Sequence, residues 1–238
     1  MGKNVLIIGA SGDIGIAIAE QLAADGYQLL LHYNKNREMI DRFRENTDKE
    51  CVISVLQADL TIESEIKKLL TEIVFPVDSI IFASGMAYYG LFQEASEDVM
   101  DEMLALHIKA PWMITKHLLS SMIKRQAGKI IFITSIWGEQ GASNEVIYSS
   151  VKGAQNSFVK ALAKEAAPCG ISVNAISPGF IETKMNHNLS VEEKAAVISE
   201  IPANRAGKPS EVANTVQFLL DENSGYIQGE IINITGGW

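Results

Sequence analysis

Apolar positions along this chain follow two periods. Short, continuous aliphatic and β-branched runs predict strands at residues 4–8, 28–33, 52–57, 79–83, 129–134, 171–176 and 231–234. These runs do not alternate with polar residues, which is the pattern of strands covered on both faces. Between them, apolar residues recur at helical spacing over 14–24, 62–73, 111–125 and 148–166, predicting amphipathic helices. Strand–helix alternation over the whole length predicts an α/β fold, a doubly wound parallel sheet of about seven strands with helices on both faces. No repeat, low-complexity tract or linker interrupts residues 1–238, so one domain is expected. Ligands of such sheets sit beyond the carboxyl ends of the strands, and the residues there carry the argument below.

Composition removes several classes of function. The apolar runs are strand-length, so no membrane span is expected. The N-terminus enters a strand at once, which predicts no signal peptide and a cytoplasmic protein. The two cysteines, Cys51 and Cys169, are too few for a disulfide framework and wrongly spaced for a metal knuckle. A formal net charge of −9 argues against nucleic acid as a partner.

The run Gly9-Ala10-Ser11-Gly12-Asp13-Ile14-Gly15 joins the first strand to the first helix. Small residues there admit a pyrophosphate to the backbone N–H groups, and the helix N-terminus stabilises its charge. Where NAD binds, a carboxylate about 20 residues on takes the ribose 2′-hydroxyl. Here the second strand leads into Asn34-Lys35-Asn36-Arg37, with no acid until Glu38. Lys35 and Arg37 would neutralise a 2′-phosphate, so NADP(H) is the expected cofactor; the alternative is that both cations face solvent.

Ser135 ends the fifth strand, and Tyr148 and Lys152 stand one helical turn apart on the next helix. Carbonyl reduction needs an acid for the developing alkoxide. A free tyrosine has a pKa of about 10; a lysine ammonium close by, together with the positive nicotinamide ring of the oxidised complex, favours the phenolate and lowers it, while the serine hydroxyl can hold the carbonyl oxygen.

With these motifs in order, the sequence resembles the short-chain dehydrogenase/reductase family over its whole length, which implies a Rossmann fold. Ser135, Tyr148 and Lys152 match that family's catalytic serine and its Tyr-x-x-x-Lys. The resemblance implies nicotinamide contacts from Pro178 and Gly179, carboxamide contact through the Ile181 backbone, and pyrophosphate contact from Thr183. It places Asp59, followed by Leu60, at the adenine, and Ser84-Gly85 beside the cofactor after the fourth strand. The candidate cofactor set is therefore Gly9, Ser11, Asp13, Ile14, Asn34, Lys35, Asp59, Leu60, Ser84, Gly85, Tyr148, Lys152, Pro178, Gly179, Ile181 and Thr183. A homotetramer or homodimer is also implied.

Three positions depart from the family pattern. Asp13 stands at the middle glycine of the turn. Phe82-Ala83-Ser84-Gly85 lacks the usual asparagines. His107 replaces the asparagine that supports a water beside the lysine; the expectation is that His107 takes over this proton relay, and a packing role is the alternative. The tail from Ile201 to Gly237 fits the 3-oxoacyl-carrier-protein reductase-like branch, whose substrate rides on an acidic carrier protein. Arg125 and Lys129 are candidate docking cations for such a partner, although Cys169 stands where a basic residue is common. Locally, Ser135 to Ser143, Lys152 to Gln155, His107 and Gly236-Gly237-Trp238 resemble the elongation factor P 5-aminopentanone reductases. That substrate carries an amine, for which Glu139 and Glu145 are candidate partners, and Trp137 is a candidate apolar wall. A non-catalytic NADP-binding regulator on the same fold is the reading outside enzymology.

Overall fold

A computed structural model describes residues 4–48, 50–186 and 189–238. Its elements run β1 (Asn4–Ile8), α1 (Asp13–Ala24), β2 (Gln28–Tyr33), α2 (Arg37–Glu45), β3 (Val52–Gln57), α3 (Glu63–Glu72) and β4 (Ser79–Phe82). They continue through α4 (Glu97–Leu104), a π-helical turn (Ala105–Lys109), α5 (Ala110–Arg125), β5 (Gly128–Ile133), α6 (Trp137–Gln140) and α7 (Val146–Ala166). The chain closes with β6 (Ile171–Pro178), α8 (Val191–Glu200), α9 (Pro209–Leu220) and β7 (Ile231–Ile234).

All seven strands pair in parallel in one sheet, in the order β3-β2-β1-β4-β5-β6-β7. Successive strand residues point to opposite faces, and both faces are apolar. Leu6, Ile8, Ile80, Phe82, Ile130 and Phe132 pack against α3, α5 and α7, whereas Val5, Ile7, Ile81, Ile131 and Ile133 pack against α1, α2 and α9. The doubly wound expectation is met, with small changes at the ends. β5 begins at Gly128 and stops at Ile133, and β6 runs on to Pro178, because Ser177 and Pro178 still pair with Asn233 and Ile234 of β7.

Helix starts follow local chemistry. Asn36, Ser96 and Ser190 accept the N–H groups of Met39, Val99 and Glu193, which caps α2, α4 and α8. Pro209 opens α9, where its missing N–H costs nothing. No helix among the described residues is long and apolar enough to cross a membrane.

The chain steps outward from β1 through β2 to β3, then returns to the other side of β1 with β4. The crevice between the carboxyl ends of β1 and β4 is the switch point where such sheets bind ligands.

Candidate active site

At the switch point the backbones after β1 and β4 touch. Gly9 has a φ of +86°, and a Cβ there would lie 2.5 Å from the Ser84 backbone. The Gly12 N–H donates to the Gly9 carbonyl at 3.2 Å, closing the turn that opens α1. Gly9 thus borders Ser84 in the turn that carries Ser11 and Ile14 into the N-terminus of α1, a cradle that any larger residue at Gly9 would fill. These residues fit a dinucleotide's pyrophosphate. Asp13 behaves differently from the glycine it replaces. Its carboxylate accepts the Lys184 N–H at 2.5 Å, which fastens the segment after β6 to the start of α1 and leaves Asp13 its backbone N–H for a ligand.

The corner where the segments after β2 and β3 meet is polar. Asp59 accepts the Thr61 N–H at 3.0 Å and the Thr61 hydroxyl at 2.7 Å. Although partial burial works the other way, bonds from Thr61 and Asn34 and the charge of Lys35 hold its carboxyl below the usual range. Leu60 is buried beside it. Lys35 is exposed, whereas Arg37 already contacts Asp41 at 3.3 Å and the Tyr33 hydroxyl at 3.5 Å. Such exposed i,i+4 pairs exchange readily.

Ser135, Tyr148 and Lys152 converge at the carboxyl end of β5, at 7%, 9% and 3% exposure. The Lys152 Nζ donates to the Ile133 carbonyl at 3.0 Å and lies 5.6 Å from the Tyr148 ring centre. Close crossing of α6 and α7 sets this geometry, since a Cβ at Gly138 would meet the Lys152 backbone at 2.7 Å. In the protein alone, desolvation governs the Tyr148 phenol. Burial pushes the phenol up to about 12, against the Ser135 hydrogen bond, and the Glu145 charge adds to the rise. Burial also brings Lys152 down to about 7. Loss of solvent disfavours both charged forms and is the largest cause of each shift.

His107 lies inside the π-helical turn, not in a regular helix, and is buried. Such turns recur at functional sites because they shift backbone groups out of register. The Nε2 atom sits 2.9 Å from the Met86 carbonyl, Nδ1 has no hydrogen-bond partner, and the His107 carbonyl accepts from the Gln155 amide at 2.8 Å. Burial, then the Lys152 charge, lowers the imidazole to about 3. A relay that charges the ring therefore conflicts with its surroundings. Nε2 also lies 3.3 Å from the Met86 N–H, so the two Met86 contacts call for opposite tautomers, and the neutral ring offers an unpartnered Nδ1 beside Lys152. Gly85 fits against it, because a Cβ there would lie 3.2 Å from the imidazole.

The outer wall is aromatic and acidic. Trp137 packs edge-on to Trp238 with ring centres 5.1 Å apart, and joins the apolar cluster of Met86, Tyr88, Met103, Ile147 and Tyr148. Glu139 is exposed. Glu145 is half-buried, and burial raises its carboxyl; among the described residues it forms no ion pair. On the opposite side, the Pro178 carbonyl accepts from Ile136 at 3.1 Å and the Gly179 N–H donates to Ile234 at 2.9 Å. The Ile181 carbonyl accepts from the Asn186 amide at 2.7 Å, so the N–H is the part of its backbone open to a ligand. The Thr183 hydroxyl reaches back to the same carbonyl at 3.5 Å.

Two candidates lie elsewhere. Lys129 is buried on the far end of β5, where its Nζ donates to the Leu219 and Asp221 carbonyls and to Ser224 at 2.8, 2.6 and 3.0 Å. Arg125 donates to the Val77 carbonyl at 2.7 Å and approaches Asp78 at 3.8 Å. Both brace the amino ends of the strands, away from the crevice, so Lys129 is no docking cation and Arg125 is engaged. Conversely, His32, Gln155 and Trp238 reach the site without having been singled out for it. A histidine in an otherwise apolar strand was the available signal for the first.

Comparison with known proteins gives the family. A family model described as "Enoyl-(Acyl carrier protein) reductase" matches residues 9–238. An "Uncharacterized oxidoreductase YmfI" of Bacillus subtilis is 45% identical, covering 100% of this chain and 99% of that protein. The 3-oxoacyl-[acyl-carrier-protein] reductases FabG of Aquifex aeolicus and Escherichia coli are 36% and 32% identical, each covering 99% of this chain and 97% of the relative. The chain belongs to the short-chain dehydrogenase/reductase family, in its 3-oxoacyl-carrier-protein reductase-like branch, and is an oxidoreductase of CH–OH and C=O groups served by a pyridine nucleotide.

Proposed function

We propose that the protein is an NADPH-dependent ketone reductase in which Tyr148 is the proton donor, and that its substrate is the 5-aminopentanone group carried on elongation factor P. The observation that carries the chemistry is the convergence of the Ser135 hydroxyl, the Tyr148 phenol and the Lys152 ammonium at the end of β5. A bound reduced nicotinamide supplies the hydride. Ser135 holds the carbonyl oxygen. Tyr148, protonated throughout the neutral range, gives its proton to the developing alkoxide. Lys152, brought to about 7, can return a proton to the phenol near neutral pH. Lys35 and Arg37 would receive the 2′-phosphate, Asp59 and Leu60 would hold the adenine, Gly9, Ser11, Asp13, Ile14 and Thr183 the pyrophosphate, and Ser84, Gly85, Pro178, Gly179 and Ile181 the nicotinamide.

Substrate choice rests on Glu145. Its carboxylate acts electrostatically on Tyr148 and raises the phenol's pKa, a cost in an active site unless the substrate brings a cation. An amino-ketone does so, and Trp137 and Trp238 give its alkyl chain and ammonium an aromatic wall. A 3-oxoacyl thioester on acyl carrier protein is the second reading, favoured by similarity to the FabG reductases. Against it, Lys129 is buried and Arg125 is engaged with Val77 and Asp78, so neither candidate docking cation is free to meet an acidic carrier.

Incubation with NADPH and either aminopentanone-modified elongation factor P or acetoacetyl thioesters separates the two. A mass gain of two hydrogens on the factor alone is expected. Turnover of the thioester alone would transfer the assignment to fatty-acid chemistry.

A further inference from the structure

A histidine buried in the sheet is unused by the carbonyl chemistry. His32 is 2% exposed at the end of β2, in the run Gln28–Tyr33 that is otherwise packed between neighbours. Its Nδ1 accepts the Gly9 N–H at 3.1 Å, and its Nε2 lies 3.0 Å from the Ala58 carbonyl. An N–H group can only donate and a carbonyl can only accept, so these contacts select one species: neutral, with the proton on Nε2. The His32 carbonyl also accepts the Ala10 N–H at 2.8 Å. One residue thereby joins the first two residues of the glycine turn to the residue before Asp59. Ladder pairing cannot do this, because the β1–β2 register ends at Ile8 and His32.

We propose that His32 is the positioning residue of the cofactor site, a neutral clasp that fixes the pyrophosphate turn relative to the adenine corner. The two parts come from different strand ends, and a dinucleotide must touch both at once. Holding them in register before binding removes an ordering cost that would otherwise weaken affinity. The clasp acts on features common to NAD and NADP, so it is independent of the choice between them. It is equally independent of the ketone reduced.

The surroundings keep the ring in the required form. Burial lowers His32 to about 4, against the Ala58 hydrogen bond and the charge of Asp59. The nearby Glu65 carboxylate is taken up by the Asp59 N–H at 2.6 Å. An imidazolium would set a second donor against the Gly9 N–H. For a base held below its ordinary value, the folded state is favoured fully above about 6.5 and loses that advantage as pH falls toward about 4.

The test is cofactor affinity at neutral pH in the full-length protein. His32→Leu removes both bonds and should raise the dissociation constants of NADP⁺ and NAD⁺ together by about tenfold, with kcat at saturating cofactor within about twofold. His32→Asn keeps an acceptor for Gly9 and should recover most of that loss, about threefold from wild type. Nitrogen-15 NMR of the histidines, with His32 assigned from its absence in the Asn variant, should show Nδ1 bare and Nε2 protonated at neutral pH. Unchanged affinity in the Leu variant, a loss confined to kcat or to NADP⁺, or an imidazolium at neutral pH would each overturn the proposal. If the Leu variant does not fold, the Asn variant and the NMR signature decide: wild-type affinity in Asn together with a protonated Nδ1 contradicts the clasp.

Discussion

The two halves of the crevice are built on opposite principles. On the nucleotide half, between β1 and β3, buried polar groups are paired. His32 bonds Gly9 and Ala58, and Asp59 is held by Thr61 and Asn34. On the carbonyl half, along α7, β6 and the π-helical turn, His107 Nδ1, Gln155 Oε1, Asn156 Oδ1 and Ser177 Oγ are buried with no partner among the described protein groups, and Tyr148 and Lys152 are pushed to about 12 and about 7. Satisfied hydrogen bonds make a rigid receptor, whereas unsatisfied ones and shifted pKa values leave free energy to be gained when the reacting groups meet. One half is organised to hold, the other to react.

Three variants sharpen or break that contrast. The largest effect is expected for Lys152→Met. Turnover should fall at least about a hundredfold, while the melting temperature rises by about 2–4 °C. The sign follows from the lowered pKa: the buried amine favours its neutral form, so its cost to folding is absent above about 10.5 and grows as pH falls toward about 7. A less stable Lys152→Met protein would mean that this half is not strained. Next, Lys35→Ala with Arg37→Ala should raise the KM for NADPH about tenfold and leave that for NADH nearly unchanged; equal changes would place both cations outside the phosphate site. Smallest is Glu145→Gln, which should lower kcat/KM about fivefold for the amino-ketone and leave a neutral ketone unaffected. Equal loss on both substrates would make Glu145 structural.

What the sequence made legible follows the range of the interactions. Strands were readable because each buries both faces and so shows an unbroken apolar run, and the Ser135, Tyr148 and Lys152 set was readable because helical spacing alone aligns the last two. The π-helical turn at His107 was not, since its carbonyl's partner, Gln155, lies on another helix. Lys129 read as a surface cation at a strand start, yet carbonyls of Leu219 and Asp221 enclose it. The desolvation of Tyr148 was not legible for the same reason, since it belongs to the folded surroundings and not to the motif.

The central claim is that the phenol of Tyr148 protonates a reduced carbonyl. NADPH consumption, followed by its near-ultraviolet absorbance with a saturating ketone, tests it in the wild type and in Tyr148→Phe. The account predicts a fall of at least about a hundredfold in kcat, with NADPH affinity within about twofold and the fold intact. Wild-type turnover by the phenylalanine variant would contradict it.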